Sequence, residues 1–341
     1  MTVRSFRLFA LLIVAVVLLG SACVRKVTVN EVLSVNTPLT TDELINRINA
    51  YSEVKTFAAQ ADVVVRNYFT GVGTKAEEFP QATGLIRFQR PESTRMRVTF
   101  LSKKVADMVS DGHSFRLALY YPNDKRRFVY GSNLTDFERM NLEEVKGAKD
   151  PQLSQAGGLV NMRPQHITNS FLVKAITPEC RNHVFREEVR QVEPDTRPGK
   201  KNRLVERTYY VVYVLDQDEK GQAKLRRKFW FDRTQPDTPL VRQQTFEDGD
   251  GNLASDDSYS KWFTIPNSDL KLPGLVIIDR RSDGYRLEMS IEKDTVEVNQ
   301  DLPDTTFTLE NTENLEELNL DNQRKSLAAQ ATKAQSPSPC N

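Results

Sequence analysis

The chain has 341 residues, of which 39% are apolar and 27% are charged, a composition typical of a soluble domain with a substantial core. Its 47 Lys and Arg residues nearly cancel its 46 Asp and Glu residues, so the net charge gives no electrostatic basis for binding nucleic acid. The 3 histidines leave little scope for a metal site or for acid–base chemistry spread along the chain.

The N-terminus has the pattern of a secretory signal. Arg4 and Arg7 precede an apolar run over residues 8–19, which is too short to span a bilayer comfortably. Small residues then lead to Cys23. Small residues that end in a cysteine resemble the bacterial lipobox, although Gly20 stands where Leu is usual.

The lipobox resemblance implies both a modification and a location. Residues 1–22 would be removed as a signal peptide, and Cys23 would carry two acyl chains, which meets the condition for stable membrane anchoring. Val24 follows, whereas an Asp there retains lipoproteins in the inner membrane of Gram-negative systems, so an outer-membrane anchor facing the periplasm is favoured. The alternative is an uncleaved or conventionally cleaved signal with an ordinary thiol at Cys23.

Composition divides the rest of the chain into three parts. Residues 23–39 show no sustained period and are predicted to tether the domain to the membrane. Residues 40–318 carry the periodic patterns and are predicted to form the domain. Residues 319–341 are polar and repetitive, which predicts a disordered tail.

The domain begins with a predicted helix and then changes to strand periodicity. Thr40 with early acidic residues is a helix-start signal, and Leu44 and Ile48 recur at helical spacing. We expect this amphipathic helix to end near residue 52. From Thr56 the apolar residues alternate with polar ones, as in a strand with one buried face.

The stretch from Gly84 to Tyr121 predicts a β-meander. Met96, Val98 and Phe100 lie on one side of a strand because side chains alternate across it. Asp111-Gly112 has the turn chemistry that reverses such a ribbon. Leu117 and Leu119 then continue the apolar face by the same alternation.

Two more helices are predicted in mid-chain, over residues 134–146 and 167–176. Strand patterns resume after them and are separated by turn signals. In one of these strands Tyr285, Leu287 and Met289 share a face. Hairpin-linked strands with few helices predict an α+β fold that is mainly antiparallel β, with a single large curved sheet of about 11 strands whose concave apolar face is covered by the helices.

Motifs of covalent chemistry are absent from the sequence. There is no GxSxG elbow, P-loop, HExxH, CxxC or GxGxxG, so we expect no enzyme, no catalytic residues, no metal and no cofactor. The basic run Arg226–Lys228 beside Trp230 is interpreted as a solvated strand face and not as a nucleic-acid site. Cys180 and Cys340 could form a disulfide or remain unrelated thiols, and both alternatives stay open.

The order of the motifs resembles the LolA/LolB superfamily of lipoprotein carriers. The resemblance rests on Gly84–Pro91, which reads GLIRFQRP, on the turn and aromatic-Pro strand end from Val109 to Pro122, and on Phe229–Asp232. It extends in pattern from about Thr41 to Leu309. This chain is longer than the small members of the family, with an added helical segment near 134–146.

The resemblance implies an unclosed antiparallel barrel, lidded by helices, that receives acyl chains in an apolar cavity. Arg90 matches the arginine that holds the lid helices of the soluble carrier closed. Leu101 lies where the outer-membrane acceptor projects an apolar residue, although a leucine tucked into the core is the alternative. Alternation selects the candidate cavity lining, which is Met96, Val98, Phe100, Leu117, Leu119, Tyr285, Leu287 and Met289.

Two functions follow from these observations. The first is an outer-membrane lipoprotein that binds acyl chains of lipoproteins or lipids and takes part in their localisation or transfer, with a periplasmic carrier protein as a possible partner. The second is a lipid-anchored structural or sensory envelope protein that binds a protein partner and transfers no lipid. No nucleic acid is expected as a partner of either.

Overall fold

The structure, a computed structural model, describes residues 29–68, 77–121, 123, 126–133, 161–177, 183–200, 202–217, 221–247, 251–265 and 270–321. Cys23, Cys180, Cys340 and the helix predicted at 134–146 lie outside these residues. Contacts divide the chain into a small unit, Met1–Ser34 with Arg190–Arg207, and a large unit, Val35–Val189 with Thr208–Asn341.

Over most of the described chain, strands follow one another and are connected by short turns. The first half comprises β1 (Glu31–Val32), α1 (Thr41–Ala50), β2 (Thr56–Asn67), β3 (Glu77–Glu78), β4 (Ala82–Gln89), β5 (Ser93–Phe100), β6 (Lys103–Asp111), β7 (Ser114–Leu119), β8 (Arg127–Ser132) and α2 (Pro164–Phe171). The second half comprises β9 (His183–Pro194), β10 (Leu204–Gln217), β11 (Ala223–Asp232), β12 (Leu240–Glu247), β13 (Asn252–Ser260), β14 (Phe263–Thr264), β15 (Lys271–Leu272), β16 (Leu275–Arg280), β17 (Tyr285–Ile291), β18 (Glu297–Val298) and β19 (Glu317–Asn319).

The long strands of the large unit form one antiparallel sheet. Its order is β10-β11-β12-β13-β16-β17-β2-β4-β5-β6-β7-β8, with β2 in the middle, paired to β17 on one side and to β4 on the other. Strand β19 adds to β8 in parallel. The sheet does not close into a barrel, which confirms the predicted fold class, although more strands are present than the predicted number.

One face of this sheet, called here the helix-covered face, holds the main core. Alternation places Ala59, Ala61 and Val63 of β2 on it, each at most 2% exposed. From the other side, Leu44 and Ile48 of α1 are 0% exposed in the same apolar cluster. The helices therefore cover the apolar face of the sheet, as predicted.

The opposite face carries a second, smaller core that alternation did not reveal. Val109, Ala118 and Phe128 are buried there under Leu309 and Leu315. The chain between β18 and β19 has no apolar period, so its docking on the sheet depends on these isolated leucines. The outer face of β6–β8 is thus covered as well.

The C-terminal boundary of the domain lies beyond the predicted one. Asn319 belongs to β19, Leu320 is buried beside Phe115 and Val129, and Asp321 accepts a hydrogen bond from the backbone N–H of Ser132 at 2.8 Å. These three residues, predicted to start the disordered tail, are part of the fold because a short parallel strand leaves too few residues for a periodic pattern.

The small unit contains part of the predicted tether. Glu31 and Val32 form β1, which pairs in parallel with the start of β10. Arg197 binds the carboxylates of both Glu31 and Asp195, with closest nitrogen–oxygen distances of 2.5 and 2.7 Å. Its guanidinium holds the pKa of Asp195 at about 2. The predicted tether thus includes a two-residue strand, which the sequence did not reveal because its partners lie far along the chain.

Candidate functional site

Helix α1 is fixed by its own sequence. The hydroxyl oxygen of Thr40 accepts a hydrogen bond from the N–H of Glu43 at 3.2 Å, and the Glu43 carboxylate accepts one from the N–H of Thr40 at 2.6 Å. This reciprocal capping box satisfies two donors at the helix start. Leu44 and Ile48, four residues apart, then point to the sheet.

Helix α2 packs its aromatic end against the middle of the sheet. Pro164 occupies the first turn, where its missing N–H costs nothing. Ile167 is 0% exposed, and the Phe171 ring lies 5.8 Å from Phe57 and 4.9 Å from Phe88 between ring centroids. Such offset aromatic contacts favour a defined position of the helix.

The helix predicted over 167–176 ends at Phe171, and the reason lies in the next five residues. The segment Leu172–Ile176, called here the strap, has no regular secondary structure, and its carbonyl groups accept hydrogen bonds from side chains. Leu172, Val173 and Ile176 bury their side chains in the main core. Side chains brought in by the tertiary structure thus replace the helical hydrogen bonds that the local pattern predicted.

Arg90 binds both the segment that follows α1 and the strap. Its guanidinium donates to the carbonyl groups of Val54 at 2.8 Å and Tyr51 at 2.9 Å, which follow α1. It also donates to Leu172 at 3.5 Å and Val173 at 3.1 Å in the strap. Burial lowers the pKa of Arg90 below its usual value. The planar fork of five donors is what allows one side chain to serve four carbonyls.

Two further side chains bind the backbone of the strap, and Lys174 of the strap forms an ion pair with Glu92 at 2.9 Å. Arg227 of β11 donates to the carbonyls of Lys174 at 2.6 Å and Ala175 at 3.4 Å. Asn49 of α1 exchanges a pair of hydrogen bonds with the backbone of Ile176, at 3.1 and 2.8 Å. The solvated strand face predicted for Arg227 is therefore wrong, since only the tertiary fold places a carbonyl-rich segment beside it.

The predicted cavity residues lie on or beside the helix-covered face, in two groups. Met96, Tyr285, Leu287 and Met289 are buried, with Met96, Leu287 and Met289 in the main core. The others are partly buried, and they are Val98, Phe100, Leu117 and Leu119. The partly buried group lies toward the C-terminal ends of β5 and β7, so burial of this face decreases along these strands.

The helix-covered face also holds polar groups that the sequence did not reveal. The hydroxyl of Ser170 in α2 donates to Asp257 of β13 at 2.8 Å, and the Tyr259 hydroxyl donates to the Ser170 carbonyl at 2.8 Å. Nδ1 of His166 lies 2.8 Å from the hydroxyl of Tyr285. Nothing in the local sequence marks Asp257 as buried, because the helix that covers it is 87 residues away in the chain.

Burial changes the chemistry of this carboxylate. Asp257 is 1% exposed, and the loss of water around it raises its pKa to about 6, although hydrogen bonds from Ser255 and Ser170 act in the opposite direction. The group is thus partly protonated in mildly acidic conditions. It can then donate as well as accept a hydrogen bond.

Leu101 lies at the tip of the β5–β6 hairpin. It is 81% exposed, which excludes the alternative of a leucine tucked into the core. Leu101 and Ser102 have φ angles of 47° and 63°, in the left-handed region that favours Gly or Asn. Exposed Lys103 and Lys104 follow directly in the sequence.

The described residues contain neither a cluster of metal ligands nor a membrane-spanning helix. Their His, Cys, Asp and Glu side chains form no group of three or more that could hold a metal ion. In the same part of the chain, no helix has the length and apolar character to cross a bilayer.

Comparison with known proteins gives likenesses to solved structures only. No protein-family model and no curated protein sequence matches the chain. One similar structure is a domain from Vibrio parahaemolyticus named for a proposed role in outer membrane lipoprotein sorting, with 8% identity, a TM-score of 0.38 and coverage of 78% of this chain and 95% of that one. Another is a DUF1329 family protein from Desulfovibrio piger, with 10% identity, a TM-score of 0.36 and the same two coverages, 78% and 95%. At these values neither likeness assigns a function to this chain.

Proposed function

We propose that this protein is a lipid-anchored envelope protein that binds acyl chains on the helix-covered face of its sheet and acts in the localisation or transfer of lipoproteins or lipids. The observation that carries the proposal is the strap. Its carbonyls are held by the side chains of Arg90, Arg227 and Asn49 and not by a backbone ladder. A segment held in this way can detach without unfolding the sheet, because no strand pairing is lost.

The energetics of the exchange favour such a ligand. Helix α2 and the strap contribute Ile167, Leu172 and Val173 to the apolar cluster. An acyl chain that replaced these side chains would bury similar apolar surface, at about 25 cal/mol per Å² or about 0.8 kcal/mol per methylene. The ligand thus recovers what the core loses when the lid opens, so binding and release require no covalent step.

Arg90 is proposed to be the latch of this lid. It joins the end of α1 to the strap through four backbone carbonyls, and within the described residues it donates to no carboxylate. Hydrogen bonds from a charged donor to neutral carbonyls are individually modest and reversible. Loss of this one side chain would therefore remove the link between the end of α1 and the strap.

The exposed tip of the β5–β6 hairpin is proposed to contact the membrane. A leucine at positive φ costs stability, and at 81% exposure Leu101 recovers none of that cost through burial. Insertion of its side chain into a bilayer would supply an apolar environment. The adjacent Lys103 and Lys104 would then lie among the polar head groups, where lysine side chains are favourable.

Native mass spectrometry of the full-length protein, extracted in a mild detergent and offered a diacylated lipopeptide, tests acyl-chain binding. We expect a bound acylated molecule to add to the protein mass, either carried from the cell or taken up from the added peptide. A mass that shows only the unliganded protein in both experiments would contradict the proposal. It would favour the alternative of a tethered structural or sensory protein.

A further inference from the structure

The helix-covered face has a polar region beside its apolar one. The register of the sheet places Gln243 of β12 opposite Phe229 of β11 on one side and Asp257 of β13 on the other. Because Ser170 of α2 binds Asp257 at 2.8 Å, Gln243 lies on the face that α2 covers. Ser255 shares this face, and its hydroxyl donates to Asp257 at 2.5 Å.

Gln243 is buried there with an unsatisfied acceptor. Gln243 is 3% exposed, and its side-chain amide oxygen accepts no hydrogen bond from the described residues. A buried acceptor without a donor costs free energy that an apolar side chain of the same shape would not. A hydrogen-bond donor from a ligand would remove that cost.

Helix α2 supplies the partners of the neighbouring polar groups only while it is in place. Ser170 binds Asp257, and His166 lies within hydrogen-bonding distance of Tyr285. If α2 moves away with the strap, Asp257 loses Ser170 beside the already unsatisfied Gln243, and Tyr285, two strands further along the sheet, loses His166. An acyl chain cannot replace them, because methylene groups neither donate nor accept hydrogen bonds.

We infer that the ligand carries a polar head with hydrogen-bond donors, which binds Gln243, Asp257 and Tyr285 while its acyl chains lie on the apolar part of the same face. This inference rests on the proposed function. The head must offer hydroxyl or amide N–H groups to the oxygens of these side chains. Sugar hydroxyls of a glycolipid and peptide amides of a lipopeptide share this chemistry.

Competition binding on the full-length protein, with three ligands of identical acyl chains, tests the inference. The ligands are a diacylglycerol methyl ether, which has no donor, a monoglycosyl diacylglycerol and a diacylated lipopeptide. We expect at least one of the two donor-bearing ligands to bind about tenfold more tightly than the ether. The one with the higher affinity identifies the source of the head group.

Gln243→Met is the variant that isolates the polar site. It removes the unsatisfied oxygen at nearly constant shape, so the affinity for the preferred donor-bearing ligand should fall about five- to tenfold while that for the ether stays within about twofold. Gln244→Met is the matched control. Gln244 lies on the opposite face, where its side-chain oxygen accepts from Trp230 Nε1 at 3.0 Å, and this variant should keep the preference.

Unliganded stability provides a second readout. Gln243→Met should raise the melting temperature, because an unsatisfied buried acceptor is removed. A lower melting temperature with an unchanged ligand preference would show a structural role for the amide and overturn the inference. Equal affinity of the wild type for all three ligands would overturn it too, while leaving acyl-chain binding intact. Failure of all three to bind would remove the proposed function, and this inference with it.

Discussion

At the scale of single residues, the side chain that determines most about the lid is Arg90. Its four carbonyl partners lie in two segments that are far apart in the sequence, the end of α1 and the strap. A single point charge on a flexible stem cannot reach four acceptors in this geometry. The arginine fork is therefore the feature that allows one side chain to join the two segments, as the proposed latch requires.

We expect Arg90→Leu to free α2 and the strap while the sheet stays folded. Hydrogen exchange measured by mass spectrometry should show faster exchange in residues 164–176, with little change in β2 or β4, and the unfolding free energy should fall by about 2 kcal/mol. Arg90→Lys should restore only part of the protection. Arg87→Leu, which changes a residue of the opposite face of β4, should leave exchange in 164–176 unchanged, and equal exchange in Arg90→Leu and wild type would rule out the latch.

Leu101 provides a prediction in which stability and function change in opposite directions. Leu101→Gly relieves the positive φ angle and should raise the unfolding free energy by about 1 kcal/mol. The same variant should bind less to vesicles that contain anionic lipid, as measured by flotation of protein with its N-terminal anchor removed. Vesicle binding that equals that of the wild type would exclude a membrane role for this hairpin.

Asp257 makes stability depend on pH in a defined direction. Burial raises its pKa from 3.8 to about 6, while Arg280 lowers it and Asp256 raises it further. The folded state thus binds this proton more tightly than the unfolded state, so stability is highest below about pH 4 and falls as the pH rises to about 6, by roughly 3 kcal/mol in total. Chemical denaturation across this range should show that difference between wild type and Asp257→Asn. Parallel pH profiles of the two proteins would contradict it.

At the scale of elements, the sheet is covered on both faces, and the two covers differ in kind. On one face, α2 and the strap are held by side-chain hydrogen bonds and are flanked by polar partners. On the other, the chain before β19 buries Leu309 and Leu315 against β6–β8, and β19 pairs with β8. Strand pairing fixes the outer cover, whereas α2 and the strap, which also bury apolar side chains, are joined to the sheet by no strand pairing in the described residues.

The outer cover should therefore contribute to folding and not to ligand binding. Leu315→Ala should lower the unfolding free energy by about 2–4 kcal/mol, because it leaves a cavity in a small core. Leu253→Ala, at a leucine that is 42% exposed, should change it by less than about 0.5 kcal/mol. Acyl-ligand affinity of folded Leu315→Ala should equal that of the wild type, and a selective loss of affinity would assign the outer cover to the binding site.

At the scale of the whole molecule, the sequence at the N-terminus predicts how the protein reaches its ligand. Diacylated Cys23 would hold the chain at a membrane, and residues that follow it would place the domain in the periplasm. A membrane-held binding protein needs to carry its ligand only over a short distance. Under the proposed function, anchoring and acyl-chain binding would therefore act together.

Cell fractionation tests the anchor directly. Cys23→Ala should move the protein from the membrane to the soluble fraction, because it removes both acyl chains. Val24→Asp should shift it from outer to inner membranes, and Cys340→Ala, which changes a cysteine near the other terminus, should alter neither distribution. Membrane association of Cys23→Ala that equals that of the wild type would exclude lipid anchoring at this cysteine.

The sequence by itself determined the features that depend on neighbouring residues. The capping box of α1 and the shared face of Leu287 and Met289 are set within a few residues, because helix caps and strand alternation are local properties. Arg90 was found by its motif and not by its contacts. Hairpin signals also predicted that the sheet would be antiparallel, and the family resemblance implied that it would be unclosed.

Only the tertiary structure decided the end of α2, the position of Arg227 and the polar site around Gln243 and Asp257. In each case the partners come from distant parts of the chain, as when Ser170 meets Asp257 at a separation of 87 residues. Sequence periodicity states which side of a strand a residue occupies, but it does not state what lies opposite. That depends on which strands pair and which helix crosses them, and those choices are made by the free energy of the whole fold.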